Sequence, residues 1–254
     1  MRRWRLPWVS LIAALALVVL ATPFAGLLFA TGWRHFGFAA GDGDAVVVSF
    51  GYSLLAMLPI VLLGTPLAWW LARHRMRGQW LIDALLLLAL LTPPLALGLL
   101  LSSVYGPYGS IGGLLEHAGL LLTNSPAAFV MAQFYAALPY YVVAARAAFE
   151  GVPRELEQIA QTLGHSPWRS FVHVSLPLSR LGLAAALALA WVRALGEFGV
   201  VLIVAYYPQG IPVKLWVNLQ DIGLQAVYPL LWVFFLVALP LPLVLGLAVR
   251  RRLA

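Results

Sequence analysis

Long runs of apolar residues, separated by short polar segments, dominate this sequence. A bilayer core about 30 Å thick requires about 20 mostly apolar residues per helix, and such runs occur repeatedly along the chain. We place the predicted spans at residues 8–30, 45–72, 80–104, 125–149, 181–205 and 227–249. The pattern therefore predicts an all-α membrane protein with about six transmembrane helices.

The composition supports a membrane protein and excludes several kinds of site. Hydrophobic residues make up 63% of the chain and charged residues 10%, whereas soluble domains have about 45–50% and about 25%. A separate soluble catalytic domain has no room in such a chain. The sequence has no cysteine, which excludes disulfides, thiol catalysis, iron–sulfur clusters and cysteine zinc sites.

The formal net charge of +7 comes from basic residues whose distribution follows the positive-inside rule. On one side of the predicted membrane lie Arg2, Arg3, Arg5, Arg73, Arg75, Arg77, Arg146, Arg154, Arg169, Arg180, Arg250, Arg251 and Arg252. The other side has only Arg34 and Lys214. We therefore expect both termini to be cytoplasmic. Arginine clusters between apolar runs indicate orientation in a membrane, not a nucleic-acid-binding surface.

The longest predicted cytoplasmic loop, at residues 151–180, has the signals of two short helices. Pro153 suits a first helical turn, and Gly164 suits a helix end that requires a left-handed conformation. Ser166 and Pro167 are typical of a new N-cap and first turn. We predict a helical elbow around Gly164.

Both predicted elbow helices have apolar stripes at helical spacing. The stripes consist of Leu156, Ile159, Ala160 and Leu163 on the first helix and of Trp168, Phe171 and Val172 on the second. An apolar face outside the bilayer has to be covered by the chain's own helix ends, by lipid headgroups or by a partner protein. Periodicity alone leaves these three alternatives open.

The elbow also resembles a known family signature. Gln158, Ile159 and Ala160, then Gly164, then Val174, and then Leu176 and Pro177 follow the spacing EAA-x3-G-x9-I-x-LP of the EAA loop in ABC importer permeases. Gln158 stands at the Glu position, with Glu157 beside it, and Ile159 replaces the first Ala. The resemblance implies a coupling helix that docks into a cytoplasmic ATPase. The residues it implicates are Glu157, Gln158, Ile159, Ala160, Leu163, Gly164, Ser166, Pro167, Trp168, Leu176 and Pro177.

Further segments are similar to the oxyanion permeases of this family. They are PLAWWLAR at 66–73, LIDA at 81–84, TPP at 92–94, GPYGSIG at 106–112, RALGEFG at 193–199 and AYYP at 205–208. The resemblance favours molybdate or tungstate as the solute, with sulfate, thiamine or ferric iron as alternatives. Together with the hydropathy pattern, it predicts a first helix and extracytoplasmic loop at 1–44, followed by a permease domain at 45–250 that contains the coupling loop 151–180.

Arg193 and Glu197 are four residues apart in the fifth predicted span, so they can pair on one side of a helix. Charges at membrane depth are costly, and we expect the pair to face protein or water. With Phe198 and Gly199, the pair either lines or gates the solute pathway or braces the bundle.

The chain has no signature of an energy source or of an enzyme. Its only lysine, Lys214, follows Val213, so there is no glycine-rich loop ending in Gly-Lys-Ser/Thr. We expect ATP and Mg to bind a separate ATPase and this chain to hold neither a cofactor nor a metal. An intramembrane enzyme would require clustered catalytic side chains, which are absent from this sequence. The resemblance further implies a separate binding protein, a second copy of this chain and a location in the cytoplasmic (inner) membrane among its lipids.

Overall fold

A computed structural model describes residues 7–119 and 122–250, and all regular secondary structure in these residues is helical. Its main helices are α1 (Pro7–Ala30), α2 (Asp42–Arg73), α3 (Gln79–Leu91), α4 (Pro94–Tyr105), α5 (Gly112–His117), α6 (Pro126–Glu150), α7 (Arg154–Thr162), α8 (Pro167–Ser170), α9 (Leu176–Leu195), α10 (Gly199–Val204), α11 (Ile211–Asp221), α12 (Leu224–Ala238) and α13 (Pro240–Arg250). A 3₁₀ turn at Trp33–His35 follows α1. Arg2, Arg3, Arg5, Arg251 and Arg252 lie outside the described residues, and the orientation in the membrane stays a prediction.

Within the described chain, five continuous helical segments are long and apolar enough to cross a membrane, and the bent pair of α3 and α4 brings the number to six. The predicted all-α fold with about six spans is confirmed. The first, second, fourth and sixth spans match Trp8–Ala30, Asp42–Arg73, Pro126–Glu150 and Leu224–Leu247.

The core lies where α2, α6 and α9 pack together, and small side chains dominate the contact. Ala137, Ala145, Ala186 and Ala190 are completely buried there. Gly182 of α9 lies so close to α6 that an added Cβ would be 2.4 Å from the Cβ of Ala148. Small residues let backbones approach closely, which is how membrane helices gain packing energy without a hydrophobic drive in lipid.

The third predicted span, 80–104, is not one straight helix. α3 and α4 are bent by 113° at the break between them. Proline lacks an amide hydrogen and disfavours helical geometry in the residue before it, and Thr92 is extended there, with ψ of 121°. The Pro93–Pro94 pair therefore produces a sharp bend where hydropathy alone predicts a continuous span.

The fifth predicted span, 181–205, begins and ends elsewhere. The helical segment runs from Pro167 to Leu195 because α8 continues through a π-helical turn, Phe171–Ser175, into α9. The second elbow helix is therefore the first turn of this span and not a separate short helix. The chain leaves the helix at Gly196 and begins α10 at Gly199.

Helix α1 lies at the periphery of the bundle. Only 6% of its most apolar stretch is buried. It contacts α12 through the Phe24–Phe235 ring pair, and Thr31, which follows α1, accepts a 3.0 Å hydrogen bond from Trp232 Nε1. A membrane helix with so few contacts within its own chain presents most of its surface to lipid or to another protein.

Candidate coupling surface and central ion pair

The predicted elbow around Gly164 is present. Gly164 has φ of +91°, and the amide groups of Gly164 and His165 donate to the carbonyls of Gln161 and Ala160, both at 3.0 Å. These two bonds form a Schellman motif, which ends α7 with a left-handed residue. Ser166 Oγ then accepts a hydrogen bond from the Arg169 amide at 3.3 Å, as an N-cap does.

Four large apolar side chains project from this elbow into open space. Leu156 is 41% exposed, Ile159 55%, Trp168 68% and Leu163 78%. We call these four side chains the elbow surface. Within the described chain nothing covers them, so the alternative in which the protein's own helix ends bury this face does not hold for these residues.

The remaining members of the predicted coupling set divide between the outside and the core. Gln158, Ser166, Pro167 and Pro177 are exposed, and Ala160 is half-buried. Leu176 packs against the core between α2, α6 and α9. Phe171 of the second stripe is also buried, 5.1 Å from the Trp69 ring and 6.0 Å from the Phe149 ring. Phe171 therefore anchors the elbow to the bundle, whereas Trp168 of the same stripe stays exposed.

Glu157 points into the protein, unlike the four side chains of the elbow surface. Only 7% of the surface of Glu157 is exposed. Its Oε1 accepts a 2.7 Å hydrogen bond from Arg73 Nε and a further one from Ser175 Oγ. The family resemblance includes Glu157 among the residues implicated in ATPase coupling, and that role stays a prediction. In the structure its carboxylate joins α7 to the end of α2 and to the turn before α9.

Neither Arg73 nor Ser175 stands out in the sequence as a functional residue. Arg73 Nη2 also donates to the Val152 carbonyl at 3.1 Å, so one guanidinium holds both the chain before α7 and a side chain within it. In the sequence, Arg73 is an arginine at the end of an apolar span, and such residues are usually explained by membrane orientation. Its hydrogen bonds to Glu157 and Val152 could therefore not be predicted from that pattern.

The predicted pair of Arg193 and Glu197 forms, but in a different setting. Arg193 Nη1 donates to Glu197 Oε2, and the Arg193 guanidinium lies 5.5 Å from the centre of the Tyr140 ring. Glu197 is 1% exposed and lies beyond the end of α9. Its Oε1 accepts a 2.7 Å hydrogen bond from the Val200 amide, in the first turn of α10. The carboxylate thus ties α9 to α10.

Glycines beside the pair let α10 pack against the bent third span. An added Cβ on Gly199 would be 2.6 Å from Pro94 Cβ, and one on Gly98 would be 2.9 Å from Ile203 Cβ. Phe198 is half-buried, with its ring 6.0 Å from that of Trp216. Two glycines therefore allow α4 and α10 to meet closely near the ion pair.

Buried polar side chains also form hydrogen bonds near the pair, and the sequence pattern does not single them out. Gln133 Nε2 in α6 donates to Ser53 Oγ at 2.8 Å and to the Ala194 carbonyl at 3.0 Å. Ser49 Oγ accepts a 2.7 Å hydrogen bond from the Ile211 amide. The glutamine within an apolar span is the feature of the sequence that indicates such hydrogen bonds, because polar groups at membrane depth need partners.

The amino-acid sequence matches the profile of one transporter family over most of its length. The family is described as "Binding-protein-dependent transport system inner membrane component", and the match covers residues 64–252.

Several named proteins are similar in sequence. A probable molybdenum ABC transporter permease protein of Haloferax volcanii is 43% identical over 69% of this chain and 64% of its own length. The molybdenum transport system permease protein of Azotobacter vinelandii is 37% identical over 64% of this chain and 73% of that protein. The corresponding protein of Mycobacterium tuberculosis is 35% identical over 80% and 78%.

The fold is also found in solved structures. A chain in the crystal structure of a bacterial alginate ABC transporter in complex with an alginate pentasaccharide-bound periplasmic protein superposes with a TM-score of 0.75. It is 16% identical, and the alignment covers 99% of this chain and 98% of the other. The family profile, the relatives and the fold agree, and the chain belongs to the family of binding-protein-dependent transport system inner membrane components.

Proposed function

We propose that this chain forms the transmembrane pathway of an ATP-driven importer and that its solute is molybdate or a similar oxyanion. The elbow surface carries the proposal, because it is a large apolar patch that nothing in the described chain covers. A patch of this kind marks an interaction site. Its occupant in the proposal is a separate cytoplasmic ATPase, which binds ATP and Mg.

The elbow is suited to transmit force because it is fixed at several points. Glu157 connects it to Arg73 at the end of α2, and Phe171 is buried against Trp69 and Phe149. From Leu176, α9 then runs on to Arg193, roughly 26 Å further at the rise of an α-helix. A displacement of the elbow is thereby carried along the span to the ion pair.

The proposed solute rests on the names of the similar proteins and on the positive charge of Arg193. Three relatives are named as molybdenum permeases. Arg193 has five N–H donors, as every guanidinium does, and its side chain is 23% exposed. Since Glu197 is held by both Arg193 and the Val200 amide, Glu197 acts as the brace, and Arg193 also offers positive potential to an anion.

The remaining parts of the proposed importer lie in other chains. A second copy of this chain completes the pathway around a two-fold axis. A binding protein delivers the oxyanion on the opposite side of the membrane from the ATPase. This chain itself is a transport subunit and not an enzyme.

The proposal can be tested by introducing a charged side chain into the elbow surface. In the reconstituted transporter, Leu163→Asp should abolish co-purification of the ATPase and molybdate-stimulated ATP hydrolysis. Leu114→Asp is the matched control, because Leu114 is 72% exposed and Leu163 is 78% exposed. Leu114 lies on α5, which precedes α6, whereas α7 follows α6, so the two positions lie at opposite ends of that helix. ATPase binding that survives Leu163→Asp, in a permease that still folds, would refute the assigned docking surface.

A further inference from the structure

A large polar cavity lies where α2 ends, close to the α2–α3 turn and to the last turns of α6. Its volume is about 740 Å³. The charged residues that line it are Arg73, Arg75, Arg146, Arg154, Asp83 and Glu150. The lining thus contains four arginines and two carboxylates. Even when Arg73 is counted as neutralised by Glu157, the cavity keeps a positive balance.

Two of these arginines retain an uncompensated charge. Arg146 is occupied, because it forms ion pairs with Asp83 at 2.5 Å and with Glu150 at 2.8 Å. Arg154 donates from Nη2 to the Ala72 carbonyl at 2.7 Å, which is a neutral acceptor. Arg75 is exposed and has no ion pair within the described part of the chain. Arg75 and Arg154 are therefore the lining residues that can bind an anion.

An apolar groove of about 320 Å³ adjoins this cavity along α3 and α6. Leu86, Leu87, Val143 and Ala147 line it, and it shares Asp83, Arg146 and Glu150 with the polar cavity. Leu87 is 55% exposed and Val143 45%, and both lie within predicted spans. The groove therefore opens towards the hydrocarbon of the bilayer.

We propose that the cavity and groove together bind one anionic phospholipid of the surrounding bilayer. The phosphate is held by Arg75 and Arg154, and an acyl chain lies in the groove between α3 and α6. A free phosphate ion would use the cavity and leave the apolar groove empty, whereas a phospholipid matches both parts. The positive balance of the cavity favours an anionic headgroup over a zwitterionic one. Asp83 and Glu150 keep the phosphate away from their wall and direct it to the two arginines.

The test is lipid binding to the purified full-length chain, measured by native mass spectrometry. We expect phosphatidylglycerol to bind more tightly than phosphatidylcholine with the same acyl chains. Arg75→Gln should weaken phosphatidylglycerol binding about fivefold, the effect of one arginine near an anionic lipid surface. Arg77→Gln is the matched control, because Arg77 is exposed on the same turn but does not line the cavity.

Two further arms separate a phospholipid from a small anion. Val143 is exposed, so Val143→Trp should place a large ring in the groove without changing the arginines. This variant should bind phosphatidylglycerol more weakly. Excess inorganic phosphate should not displace phosphatidylglycerol. Equal binding of the two lipids, equal effects of Arg75→Gln and Arg77→Gln, unchanged binding to Val143→Trp, or displacement by inorganic phosphate would each overturn the proposal.

Discussion

Arg73 at the end of α2 and Glu157 in α7 form an ion pair at 2.7 Å although they are 84 positions apart in the sequence. The exposed fractions of the two side chains are only 7% and 10%. Because Ser175 also donates to this carboxylate, the pair joins the segments before, within and after the elbow. The elbow surface thus has a fixed position relative to the bundle.

Breaking this pair should destabilise the whole chain. Glu157→Ala leaves the Arg73 charge buried without its partner, and losses of ~3–5 kcal/mol are typical of such changes. We expect a clearly lower midpoint of thermal unfolding in detergent. Glu155→Ala is the control, since Glu155 lies in the same first turn of α7 but is exposed. Equal midpoints for the two variants would show that the buried pair contributes nothing to stability.

Gly164 should tolerate asparagine better than alanine. Its φ of +91° is left-handed, and an added Cβ would meet no atom within 4 Å, so any cost comes from the backbone. For an L-residue that cost is ~1–2 kcal/mol, and asparagine visits the left-handed region more readily. Thermal unfolding should rank Gly164→Ala below Gly164→Asn. Gly26→Ala, in a helix and with open space around it, should show no loss, and a similar loss there would remove the backbone explanation.

The local features of the elbow could be predicted from the sequence because each depends on neighbouring residues. A left-handed end at Gly164 and an N-cap at Ser166 need only the chain within a few positions. The direction of Glu157 could not be predicted, because it depends on Arg73 and on the packing of three elements. A stripe pattern shows which apolar residues share a face but not which polar neighbour turns inward.

The limits of hydropathy explain the two misplaced spans. Residues 196–205 are even more apolar than α9 itself, so no fall in hydropathy marks the break at Gly196. Likewise, Pro93 and Pro94 predict a kink but not its angle, and they do not reveal that Pro94 packs closely against Gly199. Hydropathy measures how apolar a window is and carries no information on such contacts.

Methyl groups added between α4 and α10 should be poorly tolerated. On Gly199 an added Cβ would lie 2.6 Å from Pro94 Cβ and 3.0 Å from the Leu95 amide nitrogen. Backbone atoms cannot move aside as a flexible side chain does, and overpacking costs ~1–3 kcal/mol. Gly199→Ala should therefore lower the unfolding midpoint. Gly51→Ala, which meets no atom within 4 Å, serves as the control, and an equal drop there would contradict the packing argument.

Neutralising both members of the central pair should separate its two proposed roles. Arg193→Gln alone leaves Glu197 buried and unpaired, which should destabilise the protein. When Arg193→Gln is combined with Glu197→Gln, no buried charge is left, and the side-chain carbonyl of the new amide can still accept from the Val200 amide. The double variant should therefore recover most of the lost stability. Its molybdate uptake in proteoliposomes should nevertheless stay well below that of the unmodified protein, because the positive potential of the pathway is gone. If uptake recovers together with stability, Arg193 serves only to brace the bundle.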